Sequence, residues 1–365
     1  MKKNIMIIGL GLIGSSLAVC IKKEHPDAQL LGWDVSKDTC QAAIEEEIVH
    51  RIPHSFESGA VLADYIILAV PVKTAIHYLN RLEGLALKET VLVTDTGSTK
   101  QEIMAVAQSL SFDFIGGHPM AGSHKSGITA VNASLFENAF YIFTDDTTQK
   151  KASRIHELKQ LLQGTRAKFV QLAPQEHDCI TGMFSHLPHI IAAGLVNQSQ
   201  IFDDHFPEAS RFAAGGFRDM TRIASSDPSM WTDILLSNQT LLLELIKNWQ
   251  VQTSQVINWI QQEDAQSIYH FFENAKDIRD HLPITDKGTL PAFYDLMVDV
   301  PDYPGVIGEV TTILGQEKLS LMNLKILETR EDIVGVLQIS FKTKSDLQKA
   351  KRCIENQTNY HCRLL

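Results

Sequence analysis

The chain has 365 residues, enough for two or three domains, and its 44% hydrophobic and 21% charged residues are the balance of an ordinary globular protein. A net charge of −10 argues against nucleic acid or anionic lipid as the main partner. No stretch reads as a transmembrane span, and the five scattered cysteines (Cys20, Cys40, Cys179, Cys353, Cys362) contain no C-x-x-C, so they read as reduced cytoplasmic thiols rather than a disulfide frame or zinc site.

The opening MKKNIMIIGLGLIG has the lysines and apolar run of a signal peptide, but its glycine spacing and the lack of an Ala-x-Ala pattern argue against one. Residues 1–172 then alternate short apolar runs with helical patterns. NIMIIGL, QLLGWD, DYIILAV, TVLVTDT and FDFIGGH read as strands, and Gly14–Lys23 and Lys37–Glu46 as helices. Near-continuous apolar strands suit a parallel sheet covered on both faces, so the expected fold is α/β, a Rossmann-type doubly wound sheet. AFYIFT, a helix over about 151–163, and AKFVQL are expected to extend it.

The spacing Gly9-x-Gly11-x-x-Gly14 falls between the first strand and the first helix, the context in which it signals a dinucleotide site. Gly9 permits the tight turn, Gly11 lets backbone approach a pyrophosphate, and Gly14 lets helix and strand pack closely. Leu12 and Ile13 open the helix whose N–H groups would face the anion. Asp34 ends the second strand, where a carboxylate accepts from ribose hydroxyls and repels a 2′-phosphate, so NAD is expected over NADP. Val70 and Pro71 end the next strand, at the cofactor's edge.

Ligands in open α/β sheets sit outside the carboxyl ends of the strands. DTGSTK and GGHPMAG both follow strands, so Ser98 and His118 are expected on the rim that holds the glycine loop. A neutral imidazole takes a proton at working pH, and a serine hydroxyl can donate to a substrate oxygen. The competing readings are a capping role for Ser98 with Thr96, at a helix starting near Thr99, and a core role for His118.

Residues 173–281 carry helical spacing throughout, as in Leu242, Ile246, Trp249, Val256 and Ile260, and predict an all-helical domain. Asp227 and Pro228 mark a helix start. Arg218 and Arg222 are spaced i, i+4, and guanidinium forks match carboxylates; Arg222 could instead pair with Asp219. In SHLPH, Pro188 interrupts His186 and His189, and no metal site is expected. HLPITDKGTLP predicts a linker over 282–292. The remaining 293–365 read as βαββαβ, a ferredoxin-like module.

Taken together, GLGLIGSSLA, DTGSTK, GGHPMAGSHKSG, SHLPH and FRDMTRIASSDPSMW resemble the prephenate dehydrogenase family over about residues 1–280. The C-terminal segment, with VPDYPGVIGEV at its first turn, resembles an ACT domain. The resemblance implies oxidation and decarboxylation of prephenate by NAD to 4-hydroxyphenylpyruvate, carbon dioxide and NADH. It implies that His118 takes the proton of the ring hydroxyl and that Ser98 assists at the same oxygen. It further implies that Arg222 pairs with a substrate carboxylate and that Ser185 and His189 shape the pocket, with Arg218 nearby. A homodimer is expected, with tyrosine as an effector at Pro304, Gly305 and Asn323. Some family members carry an acid where this chain has His124, which receives no role. The rival readings are the same chemistry on arogenate and a non-catalytic NAD-binding regulator.

Overall fold

The computed structural model describes residues 3–122, 127–145, 149–206, 208–282, 294–301, 303–327 and 335–364. The chain divides into two units, Met1–Leu282 and Pro283–Leu365. The expected linker, apart from Leu282, lies outside the described residues, as does His124.

In the first unit, seven strands form one sheet: β1 (Asn4–Ile8), β2 (Gln29–Trp33), β3 (Tyr65–Leu68), β4 (Leu92–Asp95), β5 (Asp113–Pro119), β6 (Phe140–Thr144) and β7 (Lys168–Leu172). Their order is β2-β1-β3-β4-β5-β6-β7. β1 to β5 are parallel, as the apolar runs predict. β6 runs antiparallel to β5 and carries β7 parallel to itself. That reversal is not legible in AFYIFT, because an apolar run buried in a sheet looks the same in either direction.

Six helices cover the two faces: α1 (Leu12–Glu24), α2 (Lys37–Glu45), α3 (Phe56–Ala60), α4 (Val72–Glu83), α5 (Gln101–Ala107) and α6 (Gln149–Leu162). Alternate strand residues face opposite ways. Ile5, Ile7 and Ile67 pack with Leu17 and Ile21 of α1 and Leu158 of α6. Met6, Ile8, Ile66 and Leu68 pack with Phe56, Leu79 and Ile103 from α3, α4 and α5. Each such side chain, fully buried, contributes about 1.5–3 kcal/mol. The strand order reverses between β1 and β3, so a crevice opens at their carboxyl ends.

Residues 174–281 are helical, as predicted: α7 (Pro174–Thr181), a π-helical turn (Gly182–His186), α8 (Leu187–His205), α9 (Gly215–Thr221), a 3₁₀ turn (Arg222–Ser225), α10 (Pro228–Ser237), α11 (Gln239–Gln261) and α12 (Ala265–His281). Asp227 caps α10 by accepting from the Met230 N–H, with Pro228 in the first turn. One expectation needs correction. Pro174–His205 is long and apolar enough to match a bilayer, with a mean hydropathy of 1.4. Its polar side chains His177, Asp178, Thr181 and His186 are nevertheless buried inside the protein. Apolar side chains on α8, α11 and α12 remain exposed, among them Phe202, Trp249, Ile260 and Phe272.

The second unit is a four-stranded antiparallel sheet of β8 (Tyr294–Val300), β9 (Asn323–Leu327), β10 (Gly335–Phe341) and β11 (His361–Leu364), in the order β11-β8-β10-β9. The helices α13 (Val306–Gln316) and α14 (Lys344–Gln357) pack Val310, Leu314 and Ile354 against Leu296, Val298 and Ile339. This is the βαββαβ arrangement read from the sequence, consistent with an ACT domain.

Candidate active site

The glycine loop is built by close approach. Gly9 has φ +92°, and a Cβ there would lie 2.3 Å from the Ala69 carbonyl oxygen. A Cβ on Gly14 would fall 1.9 Å from the Gly9 oxygen, so α1 can pack this close only on glycine. Nothing lies within 4 Å of a Cβ built on Gly11, so the space above the start of α1 is open. The first turn of α1 carries no acidic side chain, and its free N–H groups suit a phosphate. Asp34 braces the loop, accepting from the Leu10 N–H at 2.9 Å and from the Ser36 N–H at 2.9 Å. A carboxylate has lone pairs beyond these two bonds, which leaves acceptor capacity for ribose hydroxyls. These residues fit a dinucleotide.

The neighbouring strand ends are tied to one buried carboxylate. Asp95 accepts from the Gly117 N–H at 2.9 Å, the Gly97 N–H at 2.8 Å and Lys100 Nζ at 2.5 Å. Asp95 and Lys100 are both fully buried. A Cβ on Gly116 would meet Thr144 Oγ1 at 2.2 Å, and one on Gly117 the Asp95 carbonyl oxygen at 2.5 Å. The two glycines before His118 are therefore set by packing density. Strand β5 continues through His118 and Pro119, paired with Ile142 and Tyr141.

His118 is 9% exposed and lines the crevice. Its Nδ1 lies 2.8 Å from Nε2 of His177, whose own Nδ1 lies 2.7 Å from Oδ1 of Asp178. Asp178 also accepts from the Lys100 N–H at 2.7 Å and the Gln101 N–H at 2.8 Å, which caps α5. The predicted helix start near Thr99 thus begins at Gln101, and its cap comes from α7 rather than from Ser98. Burial, followed by the His177, Lys100 and His186 charges, holds the His118 imidazole well below its ordinary pKa. Burial also lowers His177, against the pull of its Asp178 bond. Burial alone would raise the Asp178 carboxyl, but the bonds from His177 and the two backbone N–H groups outweigh it and hold the group below its usual range.

The crevice has a volume of about 650 Å³. Its sheet side is formed by Gly11, Leu12, Ile13, Val70, Pro71, Ser98 and His118, and its far wall by Ser225–Pro228, Met230, Asp233 and Ile234 of the helical layer. Ser98 makes no hydrogen bond among the described residues. The expected substrate residues are arranged differently. Arg218, Arg222, Ser185 and His189 do not line the crevice. α9 stops at Thr221 and Arg222 starts a 3₁₀ turn, so the two arginines do not share one α-helical face. Arg218 is exposed and donates to the Ala213 carbonyl at 3.2 Å. Arg222 is exposed and has no ion pair with Asp219 among the described residues. His189 stacks on Trp231 with centroids 4.0 Å apart and donates from Nδ1 to the Ser185 carbonyl at 2.9 Å. Burial, with a smaller push from Arg222, lowers its pKa against that bond.

The sequence reading missed Asp95, Lys100, His177 and Asp178 as parts of this site. Asp95 and Lys100 frame DTGSTK, so a signal was present. HD in PQEHDCIT carries no distinguishing pattern. In the second unit, Gly305 has φ +104° and opens α13 after Pro304, without a side-chain cap. The first turn of α13 holds Glu309, which accepts from the Tyr360 hydroxyl at 2.7 Å. Asn323 begins β9, its side chain accepting from the Leu324 N–H.

Two family models match the chain: prephenate dehydrogenase, nucleotide-binding domain, over residues 17–171, and prephenate dehydrogenase, dimerization domain, over residues 173–274. The chain is 47% identical to prephenate dehydrogenase of Bacillus subtilis (strain 168), covering 99% of this chain and 98% of that one. It is 46% identical to prephenate dehydrogenase of Lactococcus lactis subsp. cremoris (strain MG1363), covering 98% and 99%. A crystal structure of prephenate dehydrogenase from A. aeolicus, in complex with hydroxyphenyl propionate and NAD+, superposes with a TM-score of 0.69. That match has 29% identity and covers 76% of this chain and 98% of that one. The chain belongs to the prephenate dehydrogenase family.

Proposed function

We propose that the crevice carries out NAD-dependent oxidative decarboxylation of prephenate to 4-hydroxyphenylpyruvate, with His118 as the general base. The observation that carries this reading is the position of His118. Its Nδ1 is bonded to buried His177, which leaves Nε2 for the crevice lined by Gly11 and Ser98. NAD, when bound, supplies the acceptor for the hydride leaving the ring carbon that bears the hydroxyl. His118 Nε2 takes the hydroxyl proton as the carbon–oxygen double bond forms. Loss of the ring carboxylate as carbon dioxide returns its electron pair to the ring and makes it aromatic. The phenolate oxygen then recovers the proton from His118, so no net proton is released. Ser98, free of other bonds among the described residues, donates to the same oxygen. The depressed pKa of His118 keeps it neutral, hence competent as a base, at working pH.

His118→Asn tests this role. NAD binding should persist while kcat falls by about 10²–10⁴, the usual worth of a general base. Full turnover of prephenate by that variant, followed by NADH absorbance, would remove the assignment. Running the same assay with arogenate separates the two substrates.

Arg222 is the side chain we assign to a substrate carboxylate, supported by its exposure and its lack of an ion pair among the described residues. Arg218, Ser185 and His189 stay as pocket residues of this reading. Exposed apolar side chains on α8, α11 and α12, in the segment that matches a dimerization domain, support a homodimer. Free thiols throughout support a cytoplasmic enzyme. For the second unit the reading is tyrosine sensing at Pro304, Gly305 and Asn323, supported by the open start of α13. Glu309 in that first turn disfavours a carboxylate there. Turnover by the full chain with and without tyrosine decides the matter, and an unchanged rate would remove the effector.

A further inference from the structure

We propose that Asp178 and His177 form a relay that fixes the tautomer of His118, with His177 as the positioning residue for the base. This inference rests on the reading of His118 as the base. It follows from the number of protons available along the chain of atoms. Asp178 accepts from two backbone N–H groups, those of Lys100 and Gln101, and its carboxyl is held below its usual range, so it is ionised and has no proton of its own to donate. A separation of 2.7 Å between its Oδ1 and Nδ1 of His177 therefore places a proton on that nitrogen. A neutral imidazole carries one ring proton, so Nε2 of His177 is a lone pair. That lone pair lies 2.8 Å from Nδ1 of His118, which must be the donor. The proton of His118 is thus held on Nδ1, and its Nε2 is left bare toward the crevice.

The same chain has a second effect during reaction. When Nε2 of His118 takes the substrate proton, the ring becomes a cation, and its Nδ1–H bond to His177 becomes charge-assisted. Behind His177 stands the Asp178 carboxylate, opposite in sign to the new charge. The other groups around the relay are Lys100, which is paired with Asp95 and whose charge helps to hold His118 below its ordinary pKa, and His186, which burial keeps neutral. Asp178 is pinned by two backbone N–H groups at the start of α5, so the orienting carboxylate cannot swing away. His177 comes from α7 and His118 from β5, 59 residues apart. An imidazole placed only to fill the core would not need both of its nitrogens bonded in line.

The test uses the full-length protein and four variants. His177→Leu removes the acceptor, His177→Gln keeps one, His118→Asn removes the base, and His177→Leu/His118→Asn removes both. Where the leucine variant does not fold, as judged by NADH binding, His177→Met takes its place. The expected result for His177→Leu is a fall in kcat of about 10- to 100-fold, the worth of one charge-assisted hydrogen bond. KM for prephenate and for NAD should each stay within about threefold, because the ground-state contacts are untouched. His177→Gln should recover most of kcat. In the His118→Asn background the leucine change should cost nothing further, since residues that act as a unit are not additive. An equal loss in both backgrounds, or a glutamine variant as poor as the leucine one, would show a merely structural role and overturn the relay. Impaired His118→Asn beside unimpaired His177→Leu removes the relay alone. Fully active His118→Asn removes the base assignment and the relay with it.

Discussion

Replacing Lys100 with methionine isolates the buried ion pair beneath the active site. Lys100 and Asp95 have no exposed side-chain surface, and their charged atoms are 2.5 Å apart. Methionine keeps the length of the side chain and removes the charge. Asp95 then retains the Gly97 and Gly117 N–H groups but has no counter-charge. Breaking one partner of a buried pair costs about 3–5 kcal/mol, and the two remaining N–H bonds place this case near the lower end, about 3 kcal/mol. For a unit of 282 residues that is a fall in Tm of roughly 5 °C. The half-exposed Lys88–Asp64 pair, at 2.8 Å, is the internal control. Lys88→Met should cost less than about 1 kcal/mol, because water already screens that pair. Urea denaturation followed by tryptophan fluorescence reads both variants. If they lose the same stability, burial is not what makes the Lys100 pair matter, and the reasoning fails.

Other outcomes follow from the same geometry. Gly14→Ala would drive a methyl into the Gly9 carbonyl, so the loop must deform, and NADH affinity measured by fluorescence should fall at least about tenfold. An unchanged affinity would show that the loop is softer than its contacts suggest. Arg222→Ala should raise KM for prephenate by about 10-fold or more, with kcat nearly unchanged, since a hydrogen bond to a charged group is worth about 1.5–3 kcal/mol. A wild-type KM would move the carboxylate contact elsewhere. Stability should also fall in acid. Burial holds His186 neutral in the fold, with a pKa of about 4, whereas the unfolded chain takes up that proton below about 6.5. Its contribution is therefore complete above pH 6.5 and is lost as pH drops toward 4, up to about 3 kcal/mol. His118 and His177 shift in the same direction and steepen the slope. A denaturation midpoint that does not change between pH 7 and 4.5 would contradict this account.

The sequence carried the architecture further than the site. Ile5, Ile7 and Ile67 alternate with Met6, Ile8 and Ile66 inside unbroken apolar runs, and such runs announce a sheet buried on both faces. The glycine loop was legible because its spacing is dictated by close backbone contact. The reversed strand β6 was not, since direction in a sheet leaves no mark on side-chain type. His118 and Ser98 could be placed on the rim because one lies at the carboxyl end of a strand and the other just beyond one. Their supporting residues could not. Lys100 in a loop ordinarily reads as solvated, yet here it is fully buried. Asp178 lies 77 residues from the helix start it caps, and nothing local to PQEHDCIT points across that distance. The i, i+4 spacing of Arg218 and Arg222 suggested one shared helical face, but the α-helix ends between them.

The carboxylate of Asp178 belongs to the helical layer, while two of the groups it holds belong to the start of α5, which packs on the sheet. Prising those layers apart would strip α5 of its acceptor and at the same stroke sever the link through His177. A hinge that widened the crevice at this seam would therefore carry the cost of those bonds and uncouple the base as it opened.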